Sequence, residues 1–251
     1  MPIIKVSGRK VHYQEMNKGA PQTVVLIHGM LGNLAVYYFR IAPLLAEHFH
    51  VVLYDLKSHG LSERTIDGYD LESMSNDLFG LMDELQLQRV HLVGYSFGAL
   101  IALKAAVRSP QRLDRLVMIE GPDPSDEEPL RVMMEYSKEA FDDWVTAAGL
   151  SMGRRQLDRH HQLYEFIFQR TTMQSDVQKE KRFFSHGEID GIFNKTLLLY
   201  GKESDCIGAG YLLARRMKDV RLMLVDGDHN IPVQQPELIG QALINFLTIF
   251  L

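Results

Sequence analysis

Two rhythms of apolar residues alternate along this chain. Runs that are apolar at nearly every position, TVVLIHG (23–29), HVVLYD (50–55), RVHLVGYS (89–96), LDRLVMIEG (113–121), KTLLLYG (195–201) and VRLMLVDG (220–227), mark strands. A strand with one wet face would alternate apolar and polar residues, so continuous runs predict a parallel sheet covered on both faces. Between them, AVYYFRIAPLLAEHF, LESMSNDLFGLMDELQ, FGALIALKAAVRS and AGYLLARRMKD carry apolar residues every three or four positions, the stripe of an amphipathic helix. Repeated strand–helix–strand order implies right-handed crossovers and a doubly wound, mostly parallel α/β sheet, with ligands beyond the carboxyl ends of its strands. Ahead of this, IIKV and VHYQE flank Ser7-Gly8-Arg9 as a hairpin.

The alternation stops after Gly121 at the Pro- and acid-rich PDPSDEEP and resumes near Lys195. Helical patterns fill the gap: LRVMMEYSKEAFDDWVTAAGL, RQLDRHHQLYEFIFQRT and VQKEKRFF. They predict a helical cap, 122–190, inserted into a core made of 1–121 and 191–251. The apolar C-terminal run LIGQALINFLTIFL is shorter than a membrane span and is broken by Gln241 and Asn245, so it reads as a helix buried against the sheet.

Charge and cysteine count narrow the function. A net charge of −5 offers no basic face for nucleic acid. The single cysteine, Cys206, excludes an internal disulfide, and no Cys/His pairs stand at zinc-finger spacing, so no structural zinc or other metal site is expected. With no charged leader and no run of about 18 apolar residues, the expectation is a cytoplasmic protein without a membrane span.

The chemistry-bearing residues sit where strands turn into helices. Gly94-Tyr95-Ser96-Phe97-Gly98 fits G-x-S-x-G between an apolar strand and an amphipathic helix. The bare pattern would occur by chance in roughly one chain of this size in ten, so the context carries the weight. A serine on so tight a turn needs glycines for clearance and presents its hydroxyl above the sheet. Phe97 N–H, at the start of the helix, then points where an oxyanion would form, and the helix dipole favours charge there. His28-Gly29-Met30-Leu31-Gly32 follows another strand and supplies Met30 N–H as the second oxyanion donor. His28, at the strand end, reads as a holder of that loop rather than as a base.

These pieces, with Asp55-Leu56-Lys57-Ser58-His59-Gly60-Leu61-Ser62, resemble the α/β-hydrolase superfamily, in its serine-triad branch with a helical cap. The resemblance covers nearly the whole chain. Where the family shows Asp-x-Arg-Gly-His-Gly-x-Ser, this chain has Lys57 and Ser58 in place of Arg and the first Gly. The resemblance implies a Ser, acid, His order. His229 follows the last strand and is the expected base for Ser96. For the acid, Asp205 lies in a loop resembling the family's Gly-x-x-x-Asp segment. Asp123, one strand earlier, is the alternative; Glu203 falls too early, and Asp226 and Asp228 read as turn formers.

The resulting expectation is a cofactor-free serine hydrolase that cleaves an ester or thioester through an acyl-enzyme. Its partner would be a small acyl substrate, free or bound to CoA or a carrier protein. The same residues would serve a carbon–carbon hydrolase, a lyase or an acyltransferase, and a ligand receptor without turnover stands as a different class. In the cap, Arg154, Arg155, Arg159, His160 and His161 form a basic cluster: either a solvated helix face or a site for an anionic substrate group. Met133, Met134, Tyr136, Phe141, Trp144, Met152, Tyr164, Phe166, Phe168 and Met173 pack the cap, some of them facing an acyl pocket.

Overall fold

The structure, a computed structural model, describes residues 2–128, 153–180 and 182–248. The strands are β1 (Ile3–Val6), β2 (Arg9–Met16), β3 (Thr23–Ile27), β4 (His50–Tyr54), β5 (Val90–Tyr95), β6 (Leu113–Ile119), β7 (Lys195–Gly201) and β8 (Val220–Val225). They form one sheet in the order β1-β2-β4-β3-β5-β6-β7-β8. β1 and β2 pair antiparallel, as the hairpin pattern predicts, β2 also pairs antiparallel with β4, and every later pairing is parallel. After β4 the chain crosses to the far side of β3 to lay down β5. Reversal of winding there opens a crevice at the carboxyl ends of the strands.

The strands are apolar throughout because each face meets its own layer of helices. One face carries Val25, Ile27, Val52, Leu92, Leu116, Met118 and Leu198. It is covered by α3 (Leu71–Glu84), α4 (Phe97–Arg108) and α8 (Ile207–Arg216). The other face carries Val24, Leu26, Val51, Leu53, Val93, Val117 and Leu199. It is covered by α1 (Ala35–Tyr38), α2 (Ile41–Ala46), the short α9 (Ile231–Gln234) and α10 (Pro236–Thr248). α10 is the buried C-terminal helix the sequence predicts, and no helix among the described residues is long and apolar enough to cross a membrane.

The stretch 35–49, read as one helix, is two. The break falls at Phe39–Arg40, because Pro43 has no N–H to offer the carbonyl four residues back, that of Phe39.

Of the segment between β6 and β7, the described part contains α5 (Arg154–Gln169), α6 (Met173–Glu180) and α7 (His186–Asp190). The helix predicted over LRVMMEYSKEAFDDWVTAAGL, with Met133, Met134, Tyr136, Phe141 and Trp144, lies outside the described residues, as does Met152. α6 begins at Met173, four residues before the predicted start. Ile167, Phe168, Met173 and Val177 join the core cluster. Two α6 carboxylates seat the helix on the entry to α3: Asp176 Oδ2 accepts from Tyr69 N–H (3.0 Å) and Glu180 Oε1 from Leu71 N–H (2.9 Å). Ser185 and Glu188 close a reciprocal cap on α7.

Candidate active site

Ser96 stands between β5 and α4 with φ 54° and ψ −121°, a backbone conformation that costs a non-glycine residue energy. The glycines two positions to either side make the turn possible. A Cβ on Gly94 would lie 2.3 Å from Gly98 O, and one on Gly98 would lie 2.5 Å from the carbonyl oxygens of both Ile27 and His28. Those are backbone atoms with nowhere to go, so the G-x-S-x-G spacing is a packing requirement of α4 against β3 and β5. Phe97 is the first residue of α4, and its N–H has no acceptor within the helix.

Across the crevice lies the loop after β3, held by two buried histidines. His28 Nε2 accepts from Leu56 N–H (3.0 Å), so Nδ1 carries the proton and donates to Gly29 O (2.7 Å). His59 repeats the arrangement, accepting from Leu31 N–H at Nε2 (3.0 Å) and donating from Nδ1 to Lys57 O (2.8 Å). Burial lowers the pKa of both; that of His59 falls to about 3, with the neighbouring His28 ring adding to the effect. Both rings are therefore fixed, neutral struts, and His28 holds the loop. Leu31 N–H is committed to His59 and Gly32 N–H to Gly29 O (3.2 Å), which leaves Met30 N–H outside these loop bonds.

The second loop tolerates the departures from the family pattern. Ser58, where the family has glycine, keeps φ 65° and is tied by its Oγ to Thr65 N–H (2.9 Å) and the Tyr69 hydroxyl (2.7 Å). Lys57, in place of arginine, is buried, donates to Gly68 O (2.6 Å) and pairs with Asp77 (2.8 Å). Burial still pulls its pKa down.

His229 follows β8 on a turn organised by its acidic neighbours. Asp228 Oδ1 accepts from Asn230 N–H (2.7 Å), Asp226 pairs with Lys202 (2.5 Å), and Glu203 Oε2 accepts from Gly227 N–H (2.7 Å). Asp226 and Asp228 thus sit as turn and surface groups, and Glu203 braces the histidine loop. Tyr95, inside the G-x-S-x-G, donates its hydroxyl to His229 O (3.0 Å) and packs its ring 5.4 Å from the imidazole. In this setting His229 Nε2 is 3.0 Å from Ser96 Oγ.

The carboxylate beside His229 is not the expected one. Asp205 is exposed on the loop between β7 and α8, and Asp123 spends its carboxylate on Ser125 N–H and Oγ (both 2.8 Å). The carboxylate beside His229 belongs to Glu120: Oε2 is 3.4 Å from Nδ1, and the side chain is fully buried. Glu120 follows β6 directly, with φ 52°. Gly201 N–H donates to its Oε1 and Ser204 Oγ to its Oε2. Ser204 is itself buried and accepts from Cys206 N–H (3.0 Å), so the loop that was expected to supply the acid instead supplies the groups that hold one.

Cys206 lies beside this pair: one ligand atom each from Glu120, Cys206 and His229 fall within 4.8 Å of one another. Burial first, then the carboxylates of Glu120 and Asp205, push the Cys206 thiol up to about 12. Between β6 and β7, Arg154, Arg155 and Arg159 are exposed along α5, whereas His160 and His161 are half-buried on one stripe of the helix with Leu157 and Tyr164.

Residues 22–166 match a family described as alpha/beta hydrolase fold. Across 94% of this chain and 95% of its own length, the "Putative carbamate hydrolase RutD" of Caulobacter sp. (strain K31) is 28% identical. Among solved structures, the enol-lactonase from Burkholderia xenovorans LB400 superposes with a TM-score of 0.77 at 23% identity, covering 98% of this chain and 100% of its own. The meta-cleavage product hydrolase from Pseudomonas fluorescens IP01 gives a TM-score of 0.77 at 21% identity, covering 98% of this chain and 97% of its own.

Proposed function

The chain belongs to the α/β-hydrolase family, and on that footing we propose that it is a serine hydrolase cleaving a carboxylic ester or thioester through an acyl-enzyme, with Ser96 as nucleophile, His229 as base and Glu120 as acid. The observation that carries this reading is the chain of contacts Ser96 Oγ, His229 Nε2, His229 Nδ1, Glu120 Oε2, with steps of 3.0 and 3.4 Å. Nε2 faces the hydroxyl and acts as acceptor, so the ring proton sits on Nδ1, toward the carboxylate.

In the first half-reaction Ser96 Oγ bonds to the substrate carbonyl carbon as its proton passes to His229 Nε2. The imidazolium lies against ionised Glu120, and the carbonyl oxygen, now an anion, faces Phe97 and Met30 N–H. Collapse breaks the carbon–oxygen or carbon–sulfur bond, and Nε2 returns the proton to the leaving group. Water then attacks the acyl-enzyme, giving its proton to Nε2, and the acid product leaves as Ser96 regains its hydrogen. No step calls for a cofactor. An ester as substrate is in keeping with the lactone named for one structural neighbour, while hydrolysis of a meta-cleavage product is what the other is named for, and a carbon–carbon hydrolase would use the same side chains.

The test is release of p-nitrophenol from acetyl through decanoyl esters and of thiol from acyl-CoA esters by wild type, Ser96→Ala and His229→Ala. Turnover lost in both variants supports the reading; an inert wild type overturns it in favour of carbon–carbon cleavage or a receptor.

A further inference from the structure

Among the described residues, the Glu120–Cys206–His229 cluster joins three different kinds of metal ligand. Two nitrogen or oxygen ligands of a tetrahedral zinc ion, each about 2.0–2.1 Å from it, stand about 3.4 Å apart, and a thiolate stands about 3.6 Å from either. The Glu120 Oε2 to His229 Nδ1 distance is 3.4 Å, longer than a good hydrogen bond and equal to that edge. With all three ligand atoms already within 4.8 Å, Cys206 Sγ has to close by no more than about 1.2 Å, less than a change of rotamer moves it.

The surroundings favour a cation over other occupants. Glu120 is pinned by Gly201 N–H and Ser204 Oγ, so one ligand is already ordered, as supporting hydrogen bonds order the ligands of built metal sites. The negative potential of Glu120 and Asp205 at the sulfur attracts a divalent ion. A Cys, His and Glu set mixes soft and hard donors, which suits Zn2+ or Cd2+ and not Mg2+ or Ca2+.

We infer that Glu120 Oε2, Cys206 Sγ and His229 Nδ1 form an inhibitory site for a thiophilic divalent cation, with water or substrate oxygen as the fourth ligand. Binding releases the thiol proton to solvent and shifts the His229 ring proton from Nδ1 to Nε2, where it faces Ser96 Oγ in place of the acceptor lone pair. It replaces the Nδ1–H to carboxylate contact with a positive charge, which opposes the imidazolium that Ser96 attack requires. The ion thus switches the enzyme off reversibly. Inhibition rests on the proposed function; binding rests on the geometry alone.

The experiment keeps these apart. Metal-free wild type, Cys206→Ala and Cys206→Ser, each checked for fold by circular dichroism, are titrated with CdCl2 while the thiolate-to-cadmium charge-transfer absorption is followed; p-nitrophenyl ester turnover is then measured with ZnCl2. The expected result is a band saturating at one equivalent in wild type and absent from both variants. Stoichiometric zinc should cut wild-type turnover by roughly ten-fold or more, EDTA should restore it, and both variants should retain it. Absence of the band, or equal inhibition of wild type and variants, overturns the site. A band in a protein that turns over no ester would support the site and sink the hydrolase reading.

Discussion

Removing the charge of Glu120 is the sharpest perturbation of the proposed chemistry. The carboxylate lies 3.4 Å from His229 Nδ1 with no solvent exposure. At an effective dielectric of about 20, a full charge pair at that distance interacts by about 5 kcal/mol. That energy is realised only when His229 becomes an imidazolium, during attack and collapse, so it acts on kcat with little effect on KM. Glu120→Gln keeps the shape and an oxygen for Gly201 N–H, and it should lower kcat by roughly 10³–10⁴-fold. Asp205→Asn removes a charge from an exposed side chain, where solvent screens it, and should change kcat by less than about two-fold. Steady-state kinetics on the best p-nitrophenyl ester, with thermal melts confirming that both variants fold, decide the matter. Comparable activity in Glu120→Gln and wild type, or a large loss in Asp205→Asn, would refute the assignment.

Three further outcomes follow from other contacts. His59 and His91 are buried neutral, with pKa values held by burial at about 3 and about 4. Between those values and about 6.5 the unfolded chain binds more protons, so stability falls as pH falls: about 2 kcal/mol from each between pH 7 and 5, read by urea unfolding at both pH values and reduced in His59→Gln. A stability independent of pH over that range would contradict burial of both rings in the neutral form. Gly98→Ala puts a methyl 2.5 Å from two backbone oxygens and should cost about 3 kcal/mol, a fall in Tm of roughly 6–12 °C by calorimetry; an unchanged Tm would show that the elbow is looser than its contacts imply. Ser204→Ala takes one hydroxyl from Glu120 and should lower kcat by roughly five- to fifty-fold at constant KM; Ser204→Thr, which keeps the donor, should recover part of it, and no loss in the alanine variant would remove Ser204 from the account.

The sheet was readable because burial on both faces leaves strands no polar alternation, and every strand run predicted from the sequence is a strand in the structure. The elbow was readable for a similar reason: glycines at 94 and 98 are dictated by backbone contacts, which local sequence records. The carboxylate partner of His229 was not, because it depends on which of several strand ends faces Nδ1, a matter of tertiary placement. A signal nonetheless existed in LVMIEG: Glu120 ends an otherwise apolar buried run, and a buried carboxylate needs partners. The helix break at Phe39–Arg40 was likewise written in Pro43 and hidden by an unbroken apolar stripe. Cys206, read only as the absence of a disulfide, gains its interest from two neighbours, Glu120 and His229, that are 86 and 23 positions away in the sequence and therefore leave no local motif.

An acyl group carried on Ser96 can be caught by rapid-quench mass spectrometry of the protein mixed with p-nitrophenyl butyrate while p-nitrophenol is followed in the same time window. A burst of about one equivalent of p-nitrophenol is expected. A butyryl adduct should map to the peptide containing Ser96, and both signals should vanish in Ser96→Ala. Turnover that persists in Ser96→Ala, or an adduct on any other residue, would contradict a Ser96 acyl-enzyme.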